Sequence, residues 1–145
     1  MYLPRNIWFV LVVIMISSCS TETLDVTSHT GKLGVTVEPM EGKAYDKITF
    51  SVNYDGKTIL SQTELGLETD VQKFYGNLKL KSVSKAKRIV DDYKMITGKR
   101  SHCINEAFER TYSFENQEGN ALDITFRVYD NGVVFRYEIN TIADK

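Results

Sequence analysis

Cysteine and proline are scarce in this chain, with two of each among 145 residues. So little proline leaves extended segments uninterrupted, and the many β-branched and aromatic residues then favour strands. Charge of one sign is also missing. A formal net charge of -1 supplies no basic surface for nucleic acid or an anionic membrane. No glycine-rich phosphate loop, nucleophile elbow or zinc-ligand spacing occurs, which removes the commonest local signatures of catalysis. No internal repeat stands out. The apolar run over residues 7–16 is well short of the roughly 20 residues that span a bilayer. What remains, 42% hydrophobic and 26% charged residues, is the composition of one folded domain with a moderate core.

That short apolar run follows Arg5, as in a signal peptide. It ends in Ile16-Ser17-Ser18-Cys19, which looks like the lipobox of a bacterial lipoprotein. The expected organisation is a leader over 1–18, acylation at Cys19, a polar tether over 19–30 without periodicity, and a folded body over 31–145. Several acyl chains on one residue would hold the protein at the cell envelope, on its periplasmic face or outer membrane. The competing reading is an ordinary signal peptide with an incidental cysteine. With Cys19 acylated, Cys103 is alone and no internal disulfide is available; it is expected to be a small buried residue.

The clearest local signal is the segment 121–140. Leu122, Ile124, Phe126 and Val128 alternate with polar residues, and Val133, Phe135, Tyr137 and Ile139 do the same, so two strands each have one apolar face. Asn131-Gly132 between them suits a type I′ turn. That loop sets Val128 opposite Phe135, Phe126 opposite Tyr137, Thr125 opposite Glu138, and Arg127 opposite Arg136. Upstream, strands are expected over 31–38, stopped by Pro39, and over 48–53, with Tyr54-Asp55-Gly56 turning the chain into another strand. Gly66 suggests a bulge or a close backbone approach. Residues 78–96 fit neither period and read best as a solvated strand face, whereas Phe108, Arg110, Tyr112 and Phe114 alternate like a strand. Short turns and no convincing helix predict an all-β, antiparallel β-sandwich.

Chemistry-bearing clusters are few. His102, Cys103 and Glu106 have metal-ligand types but sit in a strand pattern that does not gather them. Asp91-Asp92 and Glu115 with Glu118 are explained by solubility, since adjacency in a turn does not set two carboxylates across a glycosidic bond. Arg127, Arg136 and Glu138 share the polar face of the last hairpin. They form the candidate ligand face or domain interface, beside the plainer reading of a charged network covering a sheet.

Taken in series, these segments resemble the N-terminal domain of glycoside hydrolase family 97. The run Phe126-Arg127-Val128-Tyr129-Asp130-Asn131-Gly132-Val133-Val134-Phe135-Arg136-Tyr137-Glu138 carries most of the likeness. Gly31-Lys32-Leu33, Ser51-Val52-Asn53-Tyr54-Asp55-Gly56-Lys57, Leu65-Gly66-Leu67, Val90-Asp91-Asp92-Tyr93 and Gly98-Lys99-Arg100-Ser101 occur in the matching order. The resemblance implies a partial supersandwich of the galactose-mutarotase-like type, joined in the family to a catalytic (β/α)8 barrel. It further implies exported, calcium-dependent, exo-acting α-glucosidases or α-galactosidases of Bacteroidota and relatives.

In the family the catalytic carboxylates belong to the barrel, and a calcium-ligating glutamate of the N-terminal domain lies beyond the hairpin, so no catalytic or metal residue is carried over here. The expectation is a non-catalytic fragment that braces a barrel encoded elsewhere, marginally stable alone because a sheet edge or apolar face is left unpartnered. The rival is a stand-alone, lipid-anchored module binding α-linked glycans or a protein.

Overall fold

The computed structural model describes residues 24–39, 47–99 and 101–140. The leader, Cys19 and most of the loop after Pro39 lie outside these residues. Four strands form the first antiparallel sheet, in chain order: β1 (Asp25–Thr27), β2 (Leu33–Pro39), β3 (Ile48–Tyr54) and β4 (Lys57–Leu65). Val35 faces Val52 and Val37 faces Phe50, so the alternating apolar residues of β2 and β3 share one buried side. Asp55 and Gly56 close the β3–β4 hairpin with φ of 48° and 75°, the paired positive angles of a tight primed turn. Edge strand β4 is irregular. Its register against β3 shifts twice, and Gln62 turns to a φ of 43° while its N–H donates to the Ser51 hydroxyl.

After a small ribbon of β5 (Leu67–Glu68) and β6 (Lys73–Phe74), five strands build the second sheet: β7 (Lys79–Val83), β8 (Lys87–Lys94), β9 (His102–Glu115), β10 (Ala121–Tyr129) and β11 (Gly132–Asn140). Its order is β11-β10-β9, after which the far edge of β9 is shared. β7 pairs with residues 112–115 of that strand and β8 with residues 102–109.

The two sheets close on one core. Tyr112, Phe114, Leu122, Ile124, Phe126 and Val128 meet the apolar side of the first sheet, with Phe50 5.4 Å from Phe126 and 5.7 Å from Phe135, ring centre to ring centre. Burying Phe50 and Phe126 contributes on the order of 2–3 kcal/mol each. Polar clasps tie the layers. The Tyr112 hydroxyl donates to the Leu24 carbonyl at 2.6 Å, and the Tyr137 hydroxyl accepts from the Gly66 amide at 3.2 Å. Burial pushes the Tyr112 phenol upward, so it stays a donor. Buried Arg110 fills the gap where β7 and β8 part, donating to the carbonyls of Ser84 and Asp25. A Cβ on Gly66 would stand 2.7 Å from the Tyr75 ring, which is the close approach that its place in the sequence suggests.

Three expectations are corrected. First, the last hairpin turns at Asp130-Asn131, not Asn131-Gly132: Val128 faces Val133, Phe126 faces Phe135, Thr125 faces Arg136, Asp123 faces Glu138, and Arg127 faces Val134. Asp130, Asn131 and Gly132 are not among the residues with positive φ. A two-residue slip keeps every side chain on its face, so alternation cannot detect it. What selects the observed register is the Phe126–Phe135 contact at 5.6 Å, the absence of facing arginines, and Asp130 being held by Thr30. Second, the folded body starts before residue 31. Part of the segment expected as tether forms β1, because Val26 is buried between the sheets. Third, Cys103 is only partly buried, because the β8–β9 arm carrying it has no fully buried face around it.

Candidate functional site on the outer face of the second sheet

Alternation turns Arg127 away from the core, and the β9–β10 register sets it directly opposite Glu109. The two make an ion pair through Arg127 Nε and Glu109 Oε2 at 2.5 Å. Asp91 on β8 lies 3.8 Å from Arg127 Nη1 and accepts from the Tyr129 hydroxyl at 2.8 Å. Glu109 holds the Arg127 guanidinium above its ordinary value, and hydrogen bonding to Asp91 raises the Tyr129 phenol. Two carboxylates, one guanidinium and one phenol are thereby locked across three strands. Beside them, Thr125 is buried and shares a 2.9 Å hydrogen bond with Thr111.

The three residues singled out from the sequence do not converge. Arg127 belongs to the Glu109–Asp91–Tyr129 network. Arg136 pairs with Glu138 at 3.0 Å on the exposed surface of β11. The two arginines share only a small hollow of about 130 Å³ with Thr125, Val134 and Phe135. Glu109 and Asp91 are the partners that sequence reasoning misses. Counting back from the Asn116–Asn120 turn pairs Arg127 with Glu109 by arithmetic alone, whereas Asp91 depends on where β8 joins β9 and leaves no such trace.

Two other depressions adjoin the sheet. A cleft of about 550 Å³ opens between β4 and β11, lined by Leu33, Val52, Tyr54, Ile59, Leu60 and Val133 together with Asp130, Asn131 and Gly132. A polar one of about 490 Å³ holds His29, Glu106, Tyr129 and Asp130. Arg88 lowers Glu106, and the Thr30 amide and hydroxyl lower Asp130. These carboxylates are engaged with side-chain and backbone donors. Among the described residues there is no group of three or more His, Cys, Asp or Glu side chains that could hold a metal.

The described residues thus form an antiparallel two-sheet β-sandwich with a paired, charged outer face. Residues 26–145 match the family described as Glycosyl-hydrolase 97 N-terminal, and the chain belongs to that family. Over 90 residues it is 29% identical to a probable retaining alpha-galactosidase of Streptomyces bingchenggensis (strain BCW-1), a span of 62% of this chain and 14% of that protein. Its fold superposes on the crystal structure of a beta-arabinopyranosidase with a TM-score of 0.74 and 34% identity, covering 82% of this chain and 18% of that one. A glycoside hydrolase family 97 enzyme from Pseudoalteromonas sp. strain K8, solved with panose, gives a TM-score of 0.72 at 22% identity and the same coverages. The chain therefore spans less than a fifth of the length of these relatives.

Proposed function

We propose that this sandwich acts as the non-catalytic N-terminal domain of an exported family 97 α-glycosidase of the α-glucosidase or α-galactosidase type, bracing the active site of a catalytic barrel. One observation carries the reading: the match over residues 26–145 is to the family's N-terminal domain. Hydrolysis belongs, on this reading, to the barrel. The test is complementation. The beta-arabinopyranosidase, deprived of the segment that matches this chain, is assayed on nitrophenyl glycosides with and without the chain added. Restored hydrolysis, with none from the chain alone, is the expected result; no stimulation at saturating chain sinks the bracing role.

The open apolar cleft with Tyr54 at its wall favours one rival, a glycan-binding module, because an exposed aromatic ring beside a hollow is a sugar-stacking surface. Saturable calorimetric titration with maltose or melibiose would put that reading first. Export and lipid anchoring rest on the lipobox-like run ending at Cys19. Fatty-acid labelling in a bacterial host should mark the chain and be lost in Cys19→Ala.

A further inference from the structure

Each sheet ends in strands whose outer hydrogen-bonding groups could accept another strand, and natural sheets usually blunt such edges. β1 is only three residues long. β4 is broken by register shifts and the positive φ of Gln62. β8 carries Lys87, Arg88 and Lys94. β11 is neither short nor broken, and its two exposed charges, Arg136 and Glu138, are opposite in sign and so do not repel a second copy. Its nine residues pair with β10 in unbroken register, and among the described residues nothing pairs with its other edge. Val134 is 51% exposed and Phe135 45%.

We propose that β11 is the contact strand of a symmetric dimer, adding antiparallel to β11 of a second copy about a two-fold axis at Tyr137. Charge selects both the partner and the register. A strand crossing itself antiparallel must set each residue opposite a copy of a residue in the same strand, the self-complementary contact of a two-fold dimer. Centred on Tyr137, the pairing faces Arg136 with Glu138 of the second copy, twice. It also sets Phe135 opposite Ile139. Centred on Arg136 it faces arginine with arginine, and centred on Glu138 it faces carboxylate with carboxylate. A slip of one residue opposes the apolar face to the charged face. The Arg136–Glu138 pair within each strand thus becomes half of a square of alternating charges, and Phe135 gains cover.

Sedimentation velocity of the full 145-residue chain in mild detergent tests this, using wild type, Arg136→Glu, Glu138→Arg and an equimolar mixture of the two variants. Both side chains are exposed, so neither substitution touches the core. Wild type should dimerise reversibly, and each variant alone should associate at least about tenfold more weakly, because like charges then face each other at both contacts. The mixture should form a dimer of mixed composition, since both facing pairs then set a glutamate opposite an arginine. A wild type that stays monomeric overturns the proposal. So does a mixture no more associated than its components, or equal association of all samples, which would place the contact elsewhere, including in residues 1–23.

Discussion

The β3–β4 and β10–β11 hairpins carry similar turn signals, Asp55-Gly56 and Asn131-Gly132. At the first, the signal is obeyed: both residues take positive φ, and Tyr54 pairs with Lys57 across the loop. At the second, the loop moves back to Asp130-Asn131, and Gly132 already belongs to β11. Packing explains the difference. β4 is an exposed edge strand that gives its neighbour little core to lock onto, so the turn itself sets the start of the register. β11 presses Phe135 onto Phe126 and Phe50, and Thr30 donates from its amide and hydroxyl to Asp130 at 2.9 and 2.8 Å. Where a strand has a core to grip, tertiary contacts outrank the local preference of two residues.

Four substitutions bear on that comparison. The largest effect belongs to Phe126→Ala, which removes a fully buried ring touching Phe50, Tyr112 and Phe135. Urea unfolding should show a loss of about 3–5 kcal/mol, a large part of what a domain of this size has. A loss below about 1 kcal/mol would mean that core contacts do not hold the second hairpin. Next comes Gly56→Ala. A Cβ there meets nothing within 4 Å, so the cost of about 1–2 kcal/mol is the backbone term for φ +75° alone.

Asp130→Ala should cost less than Gly56→Ala, and its effect should depend on pH. Hydrogen bonds from Thr30 lower the folded pKa of Asp130. Its contribution is therefore present above the unfolded value near about 4 and lost as pH falls through the folded value. The gap between wild type and variant in thermal melts should narrow in acid, and a gap that widened would contradict the Thr30 tie. Smallest of all is Gly132→Ala, expected within about 0.5 kcal/mol of wild type. Gly132 has open space around it and no left-handed φ. A cost equal to that of Gly56→Ala would restore the Asn131-Gly132 loop.

The same contrast separates what is legible in the amino-acid sequence from what is not. The strands β2, β3, β9, β10 and β11 are legible because each alternates against one core face. The faces hold even where register fails, since a slip of two residues leaves the pattern unchanged. β1 escapes notice because three residues with one buried valine make no period. β7 and β8 are legible only as a solvated stretch, because neither has a continuous apolar side. At the candidate site, Arg127 stands out, but alternation groups it with Arg136 and Glu138 of the next strand. Its real partners come from β8 and β9, and Asp91 reaches it only through a pairing that depends on the split edge of β9.

That split edge divides the molecule energetically. The end of β9 beside β7 is sandwiched into the core, whereas the β8–β9 arm has no second layer over it among the described residues and keeps Val90, Tyr93 and Ile104 about half-exposed. Opening the arm costs strand pairing and surface contacts such as Asp91–Tyr129, while the Phe50–Phe126 core stays closed. Amide hydrogens of Arg88 to Lys94 and of His102 to Asn105 should accordingly exchange with solvent through a low-energy local opening, and those of Tyr112 to Phe114 only through global unfolding. The sandwich is a rigid body carrying one softer lever, and Arg110 is the pivot at its root.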